Sequence, residues 1–350
     1  MLDPRFPELP VAALVAAHVP LAVATRGDDT ESVHYGSVAV VDGSGRLIHA
    51  AGDPHAHVFT RSALKPLQAL PFVRDGGLER YGYTDAQVAL LCASHSGEAR
   101  HVDAVADMLA RAGNAPDDLA CGTHAPLHYE ARGEIAPRPP WSPLAHNCSG
   151  KHAGMLAACS LHGWPKRGYL AVDHPLQRGI RTAVAQFAGV GEDALRAGTD
   201  GCSAPNYAMP LDALARSYAR LAMASSEDTA FGPAPGRLRD AMLAHPEMVS
   251  GQGRSDLALM RAGRGDWVSK IGAEGVQAIG VVSRGLGVAI KIADGNRRGL
   301  VPAAIAVLEA LGLVDRQQRV ELQCLAHPAL VNVAGMTTGT VRPLVQLHSC

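Results

Sequence analysis

Two stretches of apolar residues, one toward each end of the chain, predict β-hairpins. In the first stretch, the β-prone runs 37–41 and 46–50 flank the turn-forming segment DGSG. In the second stretch, the apolar runs 276–282 and 287–292 flank the segment SRGL. Apolar and β-branched runs on both sides of a glycine-bearing turn are typical of antiparallel strand pairs.

The chain between the hairpins has a helical pattern. Apolar residues recur three and four positions apart, which is the spacing that places them on one face of a helix. This spacing is found in 66–73, 102–109, 151–161, 175–187, 211–222 and 238–243, and a last helix is expected at about 301–311. The proline-rich segments 137–143 and 231–236 are expected to be loops.

Strands near both ends with helices between them predict an α/β (α+β) fold. One antiparallel sheet is expected to assemble from both chain ends, with the helices packed on it. Neither proline-rich segment has the character of a domain linker, so one domain covering 1–350 is expected. With 47% hydrophobic residues and 37 glycines, the chain can build a large core in which backbones approach closely.

Charge and cysteine content narrow the classes of function. The formal net charge is -1, so the chain lacks the excess positive charge that attracts nucleic acid or an anionic membrane surface. The sequence shows neither a secretion signal nor about 18 uninterrupted apolar residues, so a cytoplasmic location without membrane insertion is expected. Seven scattered cysteines are an odd number, which favours reduced thiols or metal ligands over a disulfide scaffold.

The first candidate for catalysis is the pair Ser62 and Lys65 in the segment RSALKPLQ, where a loop gives way to a helix. Residues three apart on a helical turn share a face, so the lysine amine could reach the serine hydroxyl. A neutral amine can remove the proton of such a hydroxyl and make it nucleophilic. The alternative is a chance occurrence, because Ser-x-x-Lys arises in many long chains.

Two further segments place polar residues beside apolar runs. ASHSGE, which contains Ser94, follows the apolar run 88–91 and suits a site loop. The simpler interpretation is a helix cap, with a Ser or His before a turn and Glu98 opening the helix that follows. SKIGAEG contains Lys270 just before the second hairpin. That lysine could point into a cleft, or it could be a charge on an edge strand that discourages aggregation.

The fourth candidate combines the segments NCSGKH and TDGCSAPN. Each has a cysteine in a glycine-bearing loop, and an amine and an imidazole lie close to the first. Thiolate sulfur and nitrogen suit Zn²⁺, but the spacing is not that of a zinc finger, and scattered cysteines produce near pairs by chance.

The segments RSALKPLQ, ASHSGE, NCSGKHAGML, TDGCSAPN and SKIGAEG, in this order, resemble the asparaginase II family, the L-asparaginases typified by a rhizobial enzyme. The resemblance covers about 20–342. It implies a fold similar to serine β-lactamases and related glutaminases, a homodimer, and L-asparagine as the small-molecule substrate.

The resemblance also implies roles for individual residues. Ser62 with Lys65 and Ser94 with Lys270 match two catalytic serine and lysine pairs. A zinc ion is implied at Cys148, Lys151 and Cys202, where it would shape the substrate pocket. Arg61, His152 and Asp200 match residues that bind substrate.

A mechanism follows as a hypothesis. Ser62 attacks the side-chain amide carbon with Lys65 as base, and backbone N-H groups hold the oxyanion. Water then resolves the aspartyl ester, while Ser94 and Lys270 tune the proton relay. Two neighbouring lysines disfavour each other's charge, which pushes one toward the neutral amine. Arg61 could face the substrate carboxylate and Asp200 its ammonium group.

Four rival functions remain open from the sequence. A penicillin-recognising peptidase or β-lactamase shares Ser-x-x-Lys, but Lys270-Ile271-Gly272 lacks the hydroxyl of the usual Lys-Thr-Gly strand. A zinc-dependent amidohydrolase would use the cysteines catalytically, and a non-catalytic amino-acid sensor would have no use for two costly buried bases. Selectivity between asparagine and glutamine depends on about one methylene of pocket depth, so a glutaminase is also open.

Overall fold

The computed structural model describes residues 16–225 and 228–350. Within these ranges the strands are Val19–Arg26 (β1), Asp29–Val41 (β2), Leu47–Ala51 (β3), His57–Phe59 (β4), Arg196–Thr199 (β5), Pro205–Pro210 (β6), Trp267–Gly272 (β7), Val276–Val281 (β8), Leu286–Ile292 (β9), Ala329–Val331 (β10), Thr337–Pro343 (β11) and His348–Ser349 (β12).

The helices are Lys65–Arg74 (α1), Gly77–Tyr81 (α2), Asp85–Leu91 (α3), Ala99–Arg111 (α4), Leu127–Ala131 (α5), Ser149–His162 (α6), Pro175–Ala188 (α7), Leu211–Ala222 (α8), Ala234–Ala244 (α9), Pro246–Val249 (α10), Ser255–Ala262 (α11), Arg297–Ala310 (α12) and Arg316–Ala326 (α13). Short 3₁₀ turns include Arg61–Leu64, which leads directly into α1.

The main sheet draws its strands from both ends of the chain, as the sequence predicts. Its strand order is β10-β11-β1-β2-β9-β8-β7, with β3 paired to β2 and β12 paired to β3. All pairings are antiparallel. Both predicted hairpins are confirmed, since β2 pairs with β3 and β8 pairs with β9. A smaller sheet has the order β4-β6-β5.

Helices cover both faces of the main sheet. Side chains alternate between faces along a strand, so Val38 and Val40 of β2 join one apolar cluster while Ala39 and Val41 join another. The first cluster includes α12 and α13, and the second includes α1, α3, α6, α7 and α8. The predicted α/β fold, an antiparallel sheet covered by helices, is therefore confirmed.

Small residues allow α8 to approach the sheet closely. A Cβ atom at Gly287 of β9 would lie only 1.9 Å from the carbonyl oxygen of Ala215 in α8. No side chain fits at that distance, so the glycine is required by the packing of helix on strand. The expected close approach of backbones is found here.

The segment 231–236 is only partly a loop, and the prediction for its second half was wrong. Helix α9 begins at Ala234, with Pro235 in its first turn. Proline is tolerated there because the first turn of a helix needs no N-H donor from that residue. Residues 137–142 form a loop, as predicted, and a short 3₁₀ turn begins at Pro143.

Candidate active site

Ser62 lies in the 3₁₀ turn before α1 and follows a residue with unusual backbone geometry. Arg61 has φ of 49°, in the left-handed region that non-glycine residues rarely adopt. The side-chain amide of Asn206 in β6 holds this conformation at both ends. Its Oδ1 accepts from the Arg61 N-H at 3.0 Å, and its Nδ2 donates to the Arg61 carbonyl at 3.0 Å.

Lys65, the first residue of α1, is buried, and its amine contacts the segment that holds Ser94. Its Nζ donates to the Ala93 carbonyl and lies 3.0 Å from Ser94 Oγ. Within the described ranges, no hydrogen bond joins Lys65 Nζ to Ser62 Oγ. The structure therefore brings Lys65 to the second serine of the predicted set, which sequence spacing alone did not indicate.

Ser94 lies in the buried segment that follows α3 and is only 4% exposed. Its backbone N-H donates to the Val249 carbonyl at 2.9 Å, which fixes the loop. Glu98, at the end of the same segment, caps α4, with its N-H bonded to His101 Nδ1. The segment is therefore a polar loop that ends in a helix cap, but the cap is Glu98 itself and not a preceding Ser or His.

Lys270 lies in β7, the last strand of the main sheet, but its side chain is 0% exposed. Its Nζ lies 2.8 Å from Ser94 Oγ and donates to the Ile271 carbonyl at 2.8 Å. Burial, together with the charge of Lys65, lowers the pKa of Lys270 to about 7, although Asp256 opposes the shift. The interpretation of this lysine as an exposed edge-strand charge was wrong.

One hydroxyl therefore lies within hydrogen-bond distance of two lysine amines. A serine hydroxyl donates one proton and can accept from others, so it can receive a proton from one amine while passing its own to the second. This geometry joins Lys65, Ser94 and Lys270 into a path for proton transfer. We call these three residues the lysine relay.

A cavity of about 690 Å³ opens beside the relay. Ser62 is half-buried and lines this cavity, whereas Ser94 does not line it. The other lining residues are Arg61, His124, Ala125, Pro126, Leu127, Tyr129, Glu130, Glu134, Ala136, His146, Asn147, Cys148, Asp200, Gly201, Cys202 and Ala273.

Arg61 and Asp200 form an ion pair in the cavity wall. Arg61 Nη2 lies 2.9 Å from Asp200 Oδ1, and Nε of the same guanidinium lies at 3.0 Å. Burial alone would raise the pKa of Asp200, but the positive charges of Lys151 and Arg61 outweigh it and lower that pKa. Asp200 is thus a carboxylate at neutral pH, and the pair presents both charges to the cavity.

His152 lies behind the cavity wall instead of lining it. Its ring is buried, and Nδ1 lies 2.6 Å from the hydroxyl of Tyr169. Burial lowers the pKa of His152 to about 4, so the ring is neutral. His152 Nε2 is buried, and within the described part of the chain it has no hydrogen-bond partner at normal distance.

Cys148, Lys151 and Cys202 come together at one side of the cavity. Lys151 Nζ lies 3.2 Å from Cys202 Sγ. A hydrogen bond with Cys202 and the nearby charges of Lys65 and Lys151 hold the pKa of the Cys148 thiol well below its usual range. Among the described residues, no group of three or more His, Cys, Asp or Glu side chains is arranged to hold a metal. Two sulfurs and an amine nevertheless fit Zn²⁺ once the amine loses its proton.

Sequence reasoning missed two residues that hold predicted site residues in place. Asn206 clamps Arg61, and Asp256 lies 3.6 Å from Lys270 Nζ. Asn206 belongs to the segment TDGCSAPN, which was noted only for its cysteine and aspartate. Asp256 belongs to none of the sequence motifs described above. It lies in the first turn of α11, and the sequence alone does not indicate that it contacts the strand that carries Lys270.

Serine and lysine side chains grouped beside a cavity are a residue set also used by hydrolases that cleave acyl bonds. A family model described as L-asparaginase II matches residues 22–343. The match covers most of the chain, which therefore belongs to the L-asparaginase II family. No curated protein matches the chain.

Several solved structures show a distant likeness. One is Mglu in its native form in the presence of 4.3 M NaCl, with 16% identity, a TM-score of 0.37, and coverage of 80% of this chain and 62% of that chain. Mglu in its glutamate form has 17% identity, a TM-score of 0.37, and coverage of 80% and 61%.

EstCE1, described as a hydrolase with promiscuous acyltransferase activity, has 12% identity, a TM-score of 0.40, and coverage of 83% and 93%. The chain spans less than two thirds of the length of the first Mglu structure. At these TM-scores the likeness carries no conclusion about activity.

Proposed function

We propose that the protein hydrolyses L-asparagine to L-aspartate and ammonia, with Ser62 as the nucleophile and the lysine relay as its base. The observation that carries this proposal is the position of Ser94 Oγ between two lysine amines, beside a cavity into which Ser62 opens. Membership of the L-asparaginase II family supports the substrate.

The relay supplies the neutral amine that the first step requires. With its pKa lowered to about 7, Lys270 is largely uncharged above that pH. Lys65 can then pass a proton to Ser94, which passes its own to Lys270. Lys65 becomes neutral and Lys270 becomes the cation, which the adjacent Asp256 carboxylate favours.

Neutral Lys65 then removes the proton of Ser62 as Ser62 Oγ attacks the side-chain amide carbon of asparagine. Ser62 and Lys65 must meet in the substrate complex, since catalytic hydrogen bonds often form only there. The protonated amine gives its proton to the leaving nitrogen, ammonia departs, and an aspartyl ester remains on Ser62. Water attacks that ester and loses its proton to the lysine, the lysine gives that proton to Ser62 Oγ as the ester C-O bond breaks, and aspartate leaves.

The charged ends of asparagine find partners in the cavity wall. Arg61 can donate to the substrate carboxylate, and Asp200 can accept from the substrate ammonium group. The two side chains contact each other in this structure, so substrate binding exchanges one ion pair for two.

We propose that Cys148, Lys151 and Cys202 hold a zinc ion that shapes the wall of the substrate pocket. A bound zinc ion would supply fixed positive charge there. Cys148 and Cys202 line the same cavity as Ser62. A zinc ion held by the three ligands would therefore fix the shape of the cavity wall that contacts the substrate.

We further propose a cytoplasmic homodimer. All seven cysteines lie within the described residues and are free, five of them buried, which suits a reducing compartment. No helix in the described part of the chain has the length and apolar character to cross a membrane. Light scattering would measure the oligomeric state, and a monomer would contradict the dimer.

The test of the proposed function is ammonia release from asparagine and from glutamine. We expect the wild type to turn over asparagine, Ser62→Ala to lose on the order of 10³-fold or more in kcat, and Ser94→Ala to lose about 10²-fold. Circular dichroism should show that both variants fold. A folded Ser62→Ala variant with full turnover would refute the proposal, as would nitrocefin turnover comparable to that of asparagine.

A further inference from the structure

We propose that Asp256 is the positioning residue of this active site, whose buried carboxylate orients Lys270 toward Ser94 and accommodates the proton that Lys270 receives. This inference rests on the proposed function and extends it to a residue outside the family motifs. It starts from the contacts of the carboxylate.

Asp256 is 1% exposed and lies in the first turn of α11, where backbone N-H groups favour a carboxylate. Its Oδ1 accepts from Ser269 Oγ at 2.9 Å and from Gln277 Nε2 at 3.2 Å. Its Oδ2 accepts from the Ile271 N-H at 2.9 Å. Three donors therefore fix the carboxylate in one orientation.

The same contacts bind Asp256 to the strand that carries Lys270. Ser269 and Ile271 precede and follow that lysine in β7, and Gln277 lies opposite Ile271 in β8. Because β7 is the last strand of the sheet order, the Ile271 N-H that faces away from β8 needs a partner outside the sheet. Asp256 supplies it, so the carboxylate and the lysine backbone form one rigid unit.

The geometry around Lys270 Nζ shows what this unit does. Its neighbours are the Ile271 carbonyl at 2.8 Å, Asp256 Oδ2 at 3.6 Å and Ser94 Oγ at 2.8 Å. A neutral amine has two N-H bonds and one lone pair. The carbonyl accepts one N-H bond of the amine, and the carboxylate at 3.6 Å attracts its charge without a hydrogen bond, so the lone pair of the neutral amine can face Ser94 and accept its proton.

The negative charge of Asp256 also raises the pKa of Lys270, against the effects of burial and of nearby positive charges. Burial and the positive charges of Lys65 and Arg254 lower the pKa of Lys270, whereas Asp256 and Cys148 raise it. The buried thiol of Cys92 also faces Lys270. Without the carboxylate, a proton would leave Lys270 more readily, and Lys65 would keep its charge and fail as a base.

A direct test measures the proton on Lys270 without any substrate. The chain has only five lysines, Lys65, Lys151, Lys166, Lys270 and Lys291. Protein labelled with ¹³C-lysine should therefore give few Cε signals, and loss of one signal in Lys270→Met assigns it. We expect the Lys270 signal to titrate near pH 7 in the wild type and about one unit lower or more in Asp256→Asn.

Activity provides the second readout. We expect Asp256→Asn to lower kcat about tenfold or more with little change in KM, and to move the acidic limb of the pH profile to lower pH. Asp256→Glu should return the limb toward the wild-type position, because it restores the charge. A matched control is Asp107→Asn, which removes a carboxylate paired with Arg111 on the surface of α4 and should change neither readout.

The outcomes separate this inference from the proposed function. An inactive wild type whose Lys270 signal still shifts in Asp256→Asn would refute the asparaginase proposal alone. An active wild type with no shift of signal or profile in a folded Asp256→Asn variant would refute the role of Asp256. If that variant does not fold, Ser269→Ala is the alternative, because it keeps the charge of Asp256 and removes only the hydroxyl that donates to its Oδ1. We expect the kcat of Ser269→Ala to fall several-fold at unchanged KM. An unchanged kcat would refute the inference.

Discussion

The amine of Lys270 lies 2.8 Å from the hydroxyl of Ser94, although 176 positions of sequence separate the two residues. The amine of Lys65 lies 3.0 Å from the same oxygen. Because the hydroxyl has one proton, it can donate to only one of the two amines at a time, and that amine must be uncharged. The activity of the site should therefore follow the protonation of this cluster.

The pH dependence of the reaction has a defined sign. Lys270 must be uncharged to accept a proton from Ser94, and its pKa is lowered to about 7. Below that pH the amine is already protonated, so kcat/KM should rise as the pH increases through about 7 and level off above it. Steady-state ammonia release in overlapping buffers measures this limb, and a profile that is flat through neutral pH would contradict the account.

The two hydrogen bonds between the side chain of Asn206 and the backbone of Arg61, which we call the clamp, should support both activity and stability. Asn206→Asp keeps the acceptor for the Arg61 N-H but removes the donor to the Arg61 carbonyl. We expect a loss of about 1 to 3 kcal/mol in the free energy of unfolding and a lower kcat, because the left-handed turn before Ser62 loses support. Urea denaturation and ammonia release measure the two effects.

A matched control for this variant is Asn114→Asp, which removes a donor to the Ala112 carbonyl far from the cavity. That variant should keep its kcat. If Asn206→Asp loses stability but keeps the wild-type kcat, the clamp has no part in presenting Ser62.

The ion pair in the cavity wall should govern substrate affinity. Arg61→Lys removes the planar fork that a carboxylate prefers, so we expect KM for asparagine to rise about tenfold while kcat changes less. Arg264→Lys is the matched control, since Arg264 also has a left-handed φ, 48°, and pairs with Asp315 and Glu321 instead. If the two substitutions raise KM equally, the effect comes from replacing an arginine that has a left-handed backbone conformation, and not from the loss of a contact between Arg61 and the substrate.

Removal of the metal ligands separates a pocket-shaping role from a catalytic one. We expect Cys148→Ser and Cys202→Ser to lose bound zinc and to raise KM, while kcat at saturating substrate persists, because the lysine relay is intact. Elemental analysis and full kinetics are the measurements. The zinc-dependent amidohydrolase would be favoured if the cysteine variants are inactive and if only zinc restores the activity of wild-type enzyme after treatment with a chelator.

Local patterns predicted much of the fold. The apolar spacing of 211–222 matches helix α8, Leu211–Ala222, and both hairpins are where the sequence placed them. Strands β10 and β12 escaped notice because they have three and two residues, too few to show alternation. The error at 231–236 came from treating the prolines of this segment as helix breakers, although Pro235 lies in a first turn.

The site was less accessible to local reasoning. The three-residue spacing of Ser62 and Lys65 suggested that the two groups contact each other, but a lysine side chain is long enough to reach another segment, and here it reaches Ser94. Asp256 was missed because its partners in β7 and β8 lie 13 to 21 positions away along the chain. Such contacts exist only after the sheet and α11 have assembled.

The nucleophile itself can be identified by trapping the ester. Wild-type enzyme should be mixed with asparagine, quenched in acid during turnover, digested and mapped by mass spectrometry. The account predicts an aspartyl ester on the peptide that contains Ser62, absent from Ser62→Ala. An ester on the peptide that contains Ser94 would contradict it.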